Sequence, residues 1–321
     1  MRFSVIIPAY NAADTLERCL QSIQGQSFSD FQALIVDDGS GDGTGKLAGS
    51  FAARDSRFRL ISTAHRGAGA ARNTGAEQAA GEYLVYLDAD DYWIDNRLLQ
   101  RLEEQIAGEP ADVYMYQMVK VDEDGTVLSR YAKPPFEKEG QVLPMGAVYS
   151  DLVRDGQTLA SACNKCVRRT LLPERNIRFR EDVIAEDIDW VLRLFSHAQT
   201  ICLLNLNAYA YTQHKGTSRS LQPDAPNDLV QIVGDWANRL DREDLSHRSA
   251  VAGLVAFEYG ICMGSYHRMS RAGKQAMGKL TWLLKYGLDR KTALICKFYR
   301  IFGFHLTCFA VRSYLWLRRI W

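Results

Sequence analysis

Several features that would indicate particular classes of protein are missing from this chain. Its seven cysteines are irregularly spaced, and Cys163 and Cys166 have no second pair or His–His partner. This pattern argues against a disulfide framework and a zinc site, and it is typical of reduced thiols in the cytosol. No run approaches the roughly 20 apolar residues of a spanning helix. We therefore expect a cytoplasmic protein that at most lies on the inner face of a membrane.

Acidic residues are scarce in one part of the chain only. The totals of 39 Lys/Arg and 38 Asp/Glu are nearly balanced. Residues 246–321 carry 13 basic and 2 acidic residues, a net charge of +11. The other 26 basic and 36 acidic residues give residues 1–245 a net charge of −10. This asymmetry predicts an acidic catalytic body and a cationic region that meets an anionic partner. Nucleic acid fits poorly, because the body is acidic and contains no recognisable binding module.

The first ninety residues alternate between strand-like and helix-like segments. Four β-rich runs, "RFSVIIP", "FQALIVD", "RFRLIST" and "YLVYLD", are separated by helical patterns over residues 13–24, 43–53 and 69–79. The alternation predicts an α/β fold with a mostly parallel sheet flanked by helices. Ligands of such sheets bind beyond the carboxyl ends of the strands. The polar segments "PAYN", "DDGSGDGT", "HRGAGAARN" and "DADD" all stand at those ends.

The pattern changes in the last third of the chain. After Pro226 long helical patterns replace the mixture of strands and helices. We therefore place a boundary near residue 220, with an α/β domain over residues 1–220 and a helical, basic region over residues 221–321.

The glycine-rich fingerprint GxGxxG does not follow the first strand, where "PAYNAA" stands instead. This argues against NAD on a Rossmann phosphate loop and against a sugar-nucleotide pyrophosphorylase. In "VDDGSGDGT", Asp38 leads from the second strand into a turn, so its side chain is suited to accept a hydrogen bond from a uracil or guanine N–H. An ordinary surface turn is the alternative.

Three carboxylates, Asp88, Asp90 and Asp91, follow the fourth strand. Two carboxylates ~5 Å apart repel by roughly 3 kcal/mol at an effective dielectric of ~20, so a counter-charge is expected nearby. No lysine lies within six residues. Oxygen-rich sites suit Mg²⁺ or Mn²⁺, and we favour such a metal over a solvated acidic turn.

A third acidic segment, "IAEDIDW", places Glu186, Asp187 and Asp189 at the start of a predicted helix. Acids there favour the helix dipole, which is a structural explanation. One of these carboxylates could equally act as general base toward an acceptor hydroxyl. The residues alone leave both interpretations open.

The ordered set of motifs resembles the family 2 inverting glycosyltransferases of GT-A fold. The resemblance rests on "SVIIPAYNAADTLERCLQSIQGQSFSDFQALIVDDGSGDGT", "RGAGAARNTGAEQAAGEYLVYLDADD", "NKCVRRTLL", "IRFRE", "EDIDWVLRLFSHA" and "AYAYTQHKGTSRS", and it covers residues 1–220. It implies the GT-A fold, a nucleotide-sugar donor and a divalent metal, Mg²⁺ or Mn²⁺. The region after residue 220 lies outside the shared pattern.

The resemblance also implies roles for individual residues. Those expected at the nucleotide, around the base and the ribose, are Pro8, Ala9, Tyr10, Asp38, Arg72, Asp88 and Ala89. Asp90, with Asp88, would hold the metal. Asp187 would be the catalytic base, supported by Glu186. Residues expected in loops near the acceptor or the diphosphate are Asn164, Lys165, His214 and Lys215.

The expected function is transfer of a sugar, with inversion, from a nucleotide-sugar donor to a hydroxyl group. A UDP-sugar is the expected donor, and a glycan or lipid-linked molecule of cell-surface polysaccharide synthesis is the expected acceptor. Two alternatives stay open, namely a sugar-phosphate nucleotidyltransferase and a non-catalytic nucleotide-sugar-binding protein.

The C-terminal region combines an apolar stripe with basic residues. The stripe, at spacings of three, four and seven, consists of Ile295, Phe298, Phe302, Leu306, Phe309, Trp316 and Ile320. Basic residues on the other side are Lys297, Arg300, Arg312, Arg318 and Arg319. This composition suits a helix in the interface of an anionic membrane. Because Leu294, Ile301, Phe304 and Leu315 interrupt the polar side, packing on the protein body or a homodimer is the alternative.

Overall fold

The computed structural model describes residues 1–130, 138–158, 160–214, 222–243 and 245–317. The chain divides into two compact units. The first comprises Met1–Met145, Ala160–Glu181 and Ala198–His214, and the second comprises Gly146–Leu159, Asp182–His197 and Lys215–Trp321. Two segments that precede residue 200 thus belong to the second unit, and the domain boundary near residue 220 stays a prediction.

One sheet forms the centre of the first unit. Its strands are β1 (Phe3–Ala9), β2 (Phe31–Asp37), β3 (Phe58–Ser62), β4 (Tyr83–Tyr86), β5 (Tyr92–Trp93), β6 (Val113–Val121), β7 (Val127–Arg130), β8 (Val142–Pro144), β9 (Lys165–Arg168) and β10 (Thr200–Thr212). Among the described residues the strand order is β3-β2-β1-β4-β9-β6-β10-β5, with β7 beside β6 and β8 beside β10.

The N-terminal half of the sheet is parallel. Strand β1 pairs in parallel with β2 and with β4, and β2 pairs in parallel with β3. Every residue of β1 is buried, as expected for a strand covered on both faces. The carboxyl ends of these strands therefore share one edge of the sheet. Strand β9 is antiparallel to both β4 and β6, whereas β10 runs parallel to β6.

The helices occupy both units. In chain order they are α1 (Leu16–Gln24), α2 (Thr44–Arg54), α3 (Ala68–Glu77), α4 (Leu98–Gly108), α5 (Met145–Arg154), α6 (Leu171–Glu174), α7 (Glu186–His197), α8 (Ala225–Arg242), α9 (Arg248–Ser265), α10 (Arg271–Lys279) and α11 (Arg290–Leu317). Two short 3₁₀ segments, Tyr266–Arg268 and Thr281–Tyr286, connect helices of the second unit.

Small residues let α3 lie close to the sheet. A Cβ atom added at Gly75 would stand 2.5 Å from Cγ2 of Ile6 in β1, and one at Gly69 would stand 2.3 Å from the carbonyl oxygen of Arg180. Glycine is thus the residue that fits at both positions. This close packing holds the N-terminal half of α3 at the carboxyl edge of the sheet.

The second unit is helical in its described part. Helix α9 is its central element, because its residues from Ala250 to Ser265 are buried almost without exception. Helix α11 packs against α9, where a Cβ at Gly260 would meet Cδ1 of Ile295 at 3.2 Å. The expected α/β fold with a mostly parallel sheet and a helical C-terminal region is therefore confirmed.

Helix α11 corrects one expectation drawn from the sequence. By length and composition this helix is long and apolar enough to cross a membrane, and among the described residues it alone meets that test. The expectation that no segment approaches this length is therefore wrong. Gly303 has φ 74° and ψ −178°, which interrupts the helix part-way along. Ile320, Arg318 and Arg319 lie outside the described residues.

Candidate functional site

The three acids after β4 form one cluster at the carboxyl edge of the sheet. Each of Asp88, Asp90 and Asp91 offers a carboxylate oxygen, and these oxygens lie within 4.8 Å of one another. The backbone N–H of Leu87 bonds to the carbonyl of Ile6 and that of Asp91 to the carbonyl of Asp88, so β4 leaves the sheet in a tight turn. Such spacing is suited to oxygen coordination of one divalent cation.

The counter-charge within the protein is an arginine from α3. Arg72 is completely buried and donates a hydrogen bond of 2.7 Å to Oδ1 of Asp88. Its guanidinium also lies over the ring of Phe179, at 5.3 Å from the centroid. Arg72 is thus placed beside the predicted ribose ligand Asp88. The residues adjacent to the cluster in the sequence do not indicate this partner, because Arg72 lies 16 residues before Asp88.

Asp91 differs from the other two acids because it is buried. Its carboxylate accepts hydrogen bonds from the hydroxyl of Tyr209 and, at 2.7 Å, from the backbone N–H of Thr212. Burial, followed by the charges of Asp90 and Asp88, raises the pKa of Asp91 well above its usual range. Asp91 therefore fastens the turn to β10 and leaves Asp88 and Asp90 as the more accessible carboxylates. No local signal in "DADD" distinguishes these roles.

Asp90 is half-exposed and faces His214 just beyond β10. Nε2 of His214 is 3.7 Å from Oδ2 of Asp90, and Nδ1 is 3.3 Å from Oε1 of Glu123. The carboxylate oxygens suit Mn²⁺ or Mg²⁺, and an imidazole nitrogen lies beside them. Of the two predicted diphosphate-loop residues, His214 is thus beside the acid cluster. Lys215 lies outside the described residues.

An exposed aromatic ring stands at the end of β1. Tyr10 is 48% exposed, and its ring stacks on His65 with centroids 4.0 Å apart and planes at 20°. Asp38 lies beside His65, and its carboxylate accepts hydrogen bonds from the backbone N–H groups of Arg66 and Gly67 at 2.9 and 2.7 Å. Asp38 therefore fixes the loop that carries His65, and its predicted contact with a base stays a prediction.

The loops after β1 and β2 are bonded to one another. The backbone N–H of Asn11 donates to Oγ of Ser40, and its side-chain Oδ1 accepts from the N–H of Gly41. At Gly39, φ is +75° and a Cβ would stand 2.8 Å from the backbone nitrogen of His65. The three loops at this edge are thus mutually supported, which pre-organises the position of Tyr10. The remaining predicted nucleotide residues, Pro8, Ala9 and Ala89, are buried at the same edge.

Asn164 and Lys165 are buried at the start of β9. The ammonium group of Lys165 donates to the carbonyl of Ser161 and to Oδ1 of Asn164, at 2.6 and 2.7 Å. The amide of Asn164 donates to the carbonyl of Tyr116 at 3.0 Å. These bonds hold the "SACNKC" turn against β6. The predicted part of Asn164 and Lys165 in acceptor binding stays a prediction.

The acids of "EDIDW" lie in the first turn of α7, in the second unit. Asp189 is buried and accepts hydrogen bonds from Nε of Arg193 at 2.6 Å and from Nε1 of Trp236 in α8 at 2.8 Å. Its role is therefore structural, since it joins α7 to α8. Glu186 and Asp187 begin the helix, where the helix dipole stabilises negative charge. They remain the candidates for proton transfer.

Comparison with known proteins identifies the family. A model of glycosyl transferase family 2 matches residues 4–170, about half of the chain. The chain belongs to glycosyl transferase family 2. The resemblance drawn from the sequence motifs is thereby confirmed.

Two relatives illustrate the range of this family. The uncharacterized glycosyltransferase EpsJ of Bacillus subtilis is 31% identical over 232 residues, which cover 71% of this chain and 63% of EpsJ. The poly(ribitol-phosphate) beta-N-acetylglucosaminyltransferase TarS of Staphylococcus aureus is 29% identical over 238 residues, 73% of this chain and 39% of TarS. The chain thus spans less than two thirds of either relative.

Two solved structures share the fold. Residues 1–349 of S. aureus TarS, in complex with UDP-GlcNAc, match with a TM-score of 0.73 and 21% identity over 98% of this chain and 91% of that chain. The mannosyltransferase PcManGT of Pyrobaculum calidifontis, in complex with GDP-Man and Mn²⁺, matches with a TM-score of 0.56 and 17% identity over 97% and 87%. The likeness to TarS establishes the expected GT-A fold.

Proposed function

We propose that this chain is an inverting glycosyltransferase that moves a sugar from a UDP-sugar to a hydroxyl group of a glycan or lipid-linked acceptor. The observation that carries the proposal is the cluster of Asp88, Asp90 and Asp91 at the carboxyl edge of a parallel sheet. Family membership supports the reaction class, and the match to TarS with UDP-GlcNAc supports a uridine nucleotide. The enzyme would act at the cytoplasmic face of the membrane, in the synthesis of a cell-surface polymer.

The donor would bind along the loops at the ends of β1, β2 and β4. The exposed ring of Tyr10 offers a flat surface on which a base can stack. Asp88, oriented by Arg72, would accept hydrogen bonds from the ribose hydroxyls. Asp90, together with Asp88 and His214, would hold Mg²⁺ or Mn²⁺. A bound divalent ion would neutralise the diphosphate and so make it a better leaving group.

Transfer would proceed as a single displacement at the anomeric carbon. Asp187 takes the proton of the acceptor hydroxyl, whose oxygen forms a bond to the anomeric carbon from the face opposite the diphosphate. The bond from that carbon to the diphosphate oxygen breaks, and UDP leaves. Glu186 supports Asp187, whereas Asp189 is unsuited to the task because Arg193 and Trp236 occupy its carboxylate.

The test compares donor binding with turnover in Asp187→Asn. We expect UDP binding in the presence of Mn²⁺ to stay within about twofold, and UDP release from UDP-sugars with polyprenyl-diphosphate-linked saccharides to fall roughly 10²–10⁴-fold, as for loss of a general base. Asp241→Asn, at an exposed position on α8, is the matched control. Unchanged UDP release in Asp187→Asn would refute the assignment.

The same assay separates the two alternative functions. Release of pyrophosphate from UTP and a sugar phosphate would show that the protein is a nucleotidyltransferase and not a glycosyltransferase. Tight binding of UDP-sugars without UDP release, for every sugar and acceptor in the panel, would favour a binding protein. The expected result is UDP release that requires both a UDP-sugar and an acceptor.

A further inference from the structure

Helix α11 presents a row of large apolar side chains to solvent. We call these side chains the exposed face of α11. Leu294, Ile301 and Phe302 precede the break at Gly303, and Leu306, Phe309 and Trp316 follow it. Ile301 is 73% exposed, Phe309 67% and Trp316 72%. Folded proteins rarely leave so many large apolar side chains exposed on one element unless a partner covers them.

The rest of the helix is anchored in the second unit. Thr307, Cys308, Val311 and Leu315 are buried on the side opposite Phe309 and Trp316. Phe304 packs edge-on against Tyr266, with ring centroids 5.1 Å apart. The exposed face is therefore not the result of a helix that has come away from its neighbours. One side of the helix packs on the second unit, and the other side is exposed and can contact a partner.

The charge around the exposed face has a single sign. From Arg290 to Trp321 the sequence contains seven Lys/Arg and no Asp or Glu. Lys297, Arg300 and Arg312 are all exposed. The nearest acid, Asp289, is buried and accepts hydrogen bonds from the backbone N–H groups of Lys291 and Thr292, so it caps the helix. The partner should therefore combine an apolar interior with a negatively charged surface.

We propose that α11 lies in the interface of an anionic phospholipid bilayer. Phe309, Trp316 and the other side chains of the exposed face would enter the boundary between head groups and acyl chains. Lys297, Arg300 and Arg312 would contact lipid phosphates. This proposal does not depend on the proposed transfer reaction, because membrane binding is measured without substrate.

Two other occupants of the face fit less well. A second copy, paired symmetrically through this face, would bring its cations against the same cations of its partner, with no acid in the helix to compensate. A membrane-spanning arrangement would place Gly303, with its non-helical backbone, and the charged Arg312 within the hydrocarbon. An interfacial helix avoids both costs.

The experiment is flotation of the full chain with vesicles of phosphatidylcholine alone or with 30% phosphatidylglycerol. We expect recovery with the anionic vesicles only, and a fall in the partition coefficient of at least tenfold in Phe309→Ser/Trp316→Ser and in Arg300→Glu/Arg312→Glu. The matched control is Val127→Ser/Leu128→Ser, which changes two exposed apolar side chains on β7. This control should float like the unmodified chain, and circular dichroism would verify that all variants are folded.

Three results would overturn the proposal. Equal recovery of all variants would show that α11 is not the binding element. An absence of vesicle binding, with a concentration-dependent dimer that Phe309→Ser/Trp316→Ser abolishes, would assign the face to a second copy. Resistance of the membrane-bound chain to extraction at alkaline pH would indicate a spanning helix.

Discussion

The guanidinium of Arg72 donates a hydrogen bond of 2.7 Å to the carboxylate of Asp88, and the arginine side chain is completely buried. This bond joins α3 to the turn after β4. It supplies one positive charge to a cluster of three carboxylates. The protein thus neutralises part of the cluster by itself.

Removal of this buried cation should destabilise the fold. We expect Arg72→Met to lower the free energy of unfolding by about 1.5–3 kcal/mol, because a hydrogen bond to a charged group is lost and Asp88 is left beside Asp90 and Asp91. Urea denaturation measures this difference. The control is Arg59→Met, an exposed arginine bonded to Gln78. Equal unfolding free energies in the two variants would contradict a stabilising role for the Arg72–Asp88 pair.

Substitution of Asp90 should affect metal-dependent binding without affecting the fold. Asp90 is half-exposed, so Asp90→Asn should leave the melting temperature within about 2 °C, as is usual for surface changes. We expect the gain in UDP affinity on addition of Mn²⁺ to disappear, as measured by titration calorimetry with and without a chelator. Asp124→Asn, at an exposed position in the turn after β6, should keep that gain. A full Mn²⁺ effect in Asp90→Asn would count against the metal assignment.

The ring of Tyr10 should contribute to nucleotide affinity through stacking. Stacking of a base on an aromatic side chain is worth about 1–3 kcal/mol, so Tyr10→Ala should raise the Kd for UDP roughly 5- to 150-fold. Tyr10→Phe keeps the ring and should stay within about twofold of the unmodified chain. Because Tyr10 is 48% exposed, neither change should disturb the core. Equal weakening in both variants would point to the hydroxyl instead.

Glu258 in α9 should make stability depend on pH. Burial raises the pKa of Glu258 from 4.5 to about 7. Below pH 4.5 the carboxyl is protonated in both states and its contribution to stability is fully present. Between pH 4.5 and 7 that contribution is lost, because the unfolded state ionises while the buried carboxyl of the folded state keeps its proton. We expect Glu258→Gln to be more stable than the unmodified chain at pH 8, with a gain roughly 2–3 kcal/mol larger than at pH 5.

Chemical denaturation at pH 5 and pH 8 tests this expectation. The control is Glu104→Gln, at an exposed position on α4, which should show little change between the two pH values. A constant difference between Glu258→Gln and the unmodified chain across this range would mean that Glu258 titrates near its ordinary pKa.

The parallel half of the sheet was predictable from local sequence. The β-rich run over residues 31–37 coincides with β2, and the helical pattern over residues 69–79 overlaps α3 (Ala68–Glu77). Strands and helices differ in the spacing of their apolar residues, and this spacing can be read from the local sequence. The insertion of β9 between β4 and β6 was not predictable in this way. It depends on pairing between strands about 80 residues apart in the chain, which no local pattern specifies.

For the acids of the site, too, local sequence predicted some features and not others. Motif spacing predicted functional roles for "DADD" and "EDIDW". It did not separate Asp91, which is bonded to Tyr209 and Thr212, from its neighbours. Spacing alone likewise left Asp189 as one of three acids, and only the family resemblance singled out Asp187 and Glu186. In the structure Trp236 occupies the carboxylate of Asp189. Both assignments depend on partners more than 40 residues away.

Sequence by itself determined the class of fold, the family and the positions at which acids leave the strands, because periodicity and motif order are local properties of the chain. Only the tertiary structure decided which acid is buried, which cation faces Asp88 and which side of α11 stays in solvent. Burial and pairing depend on segments that meet in space after long separations in the chain. Those contacts set the charge and accessibility on which the chemistry of each residue depends.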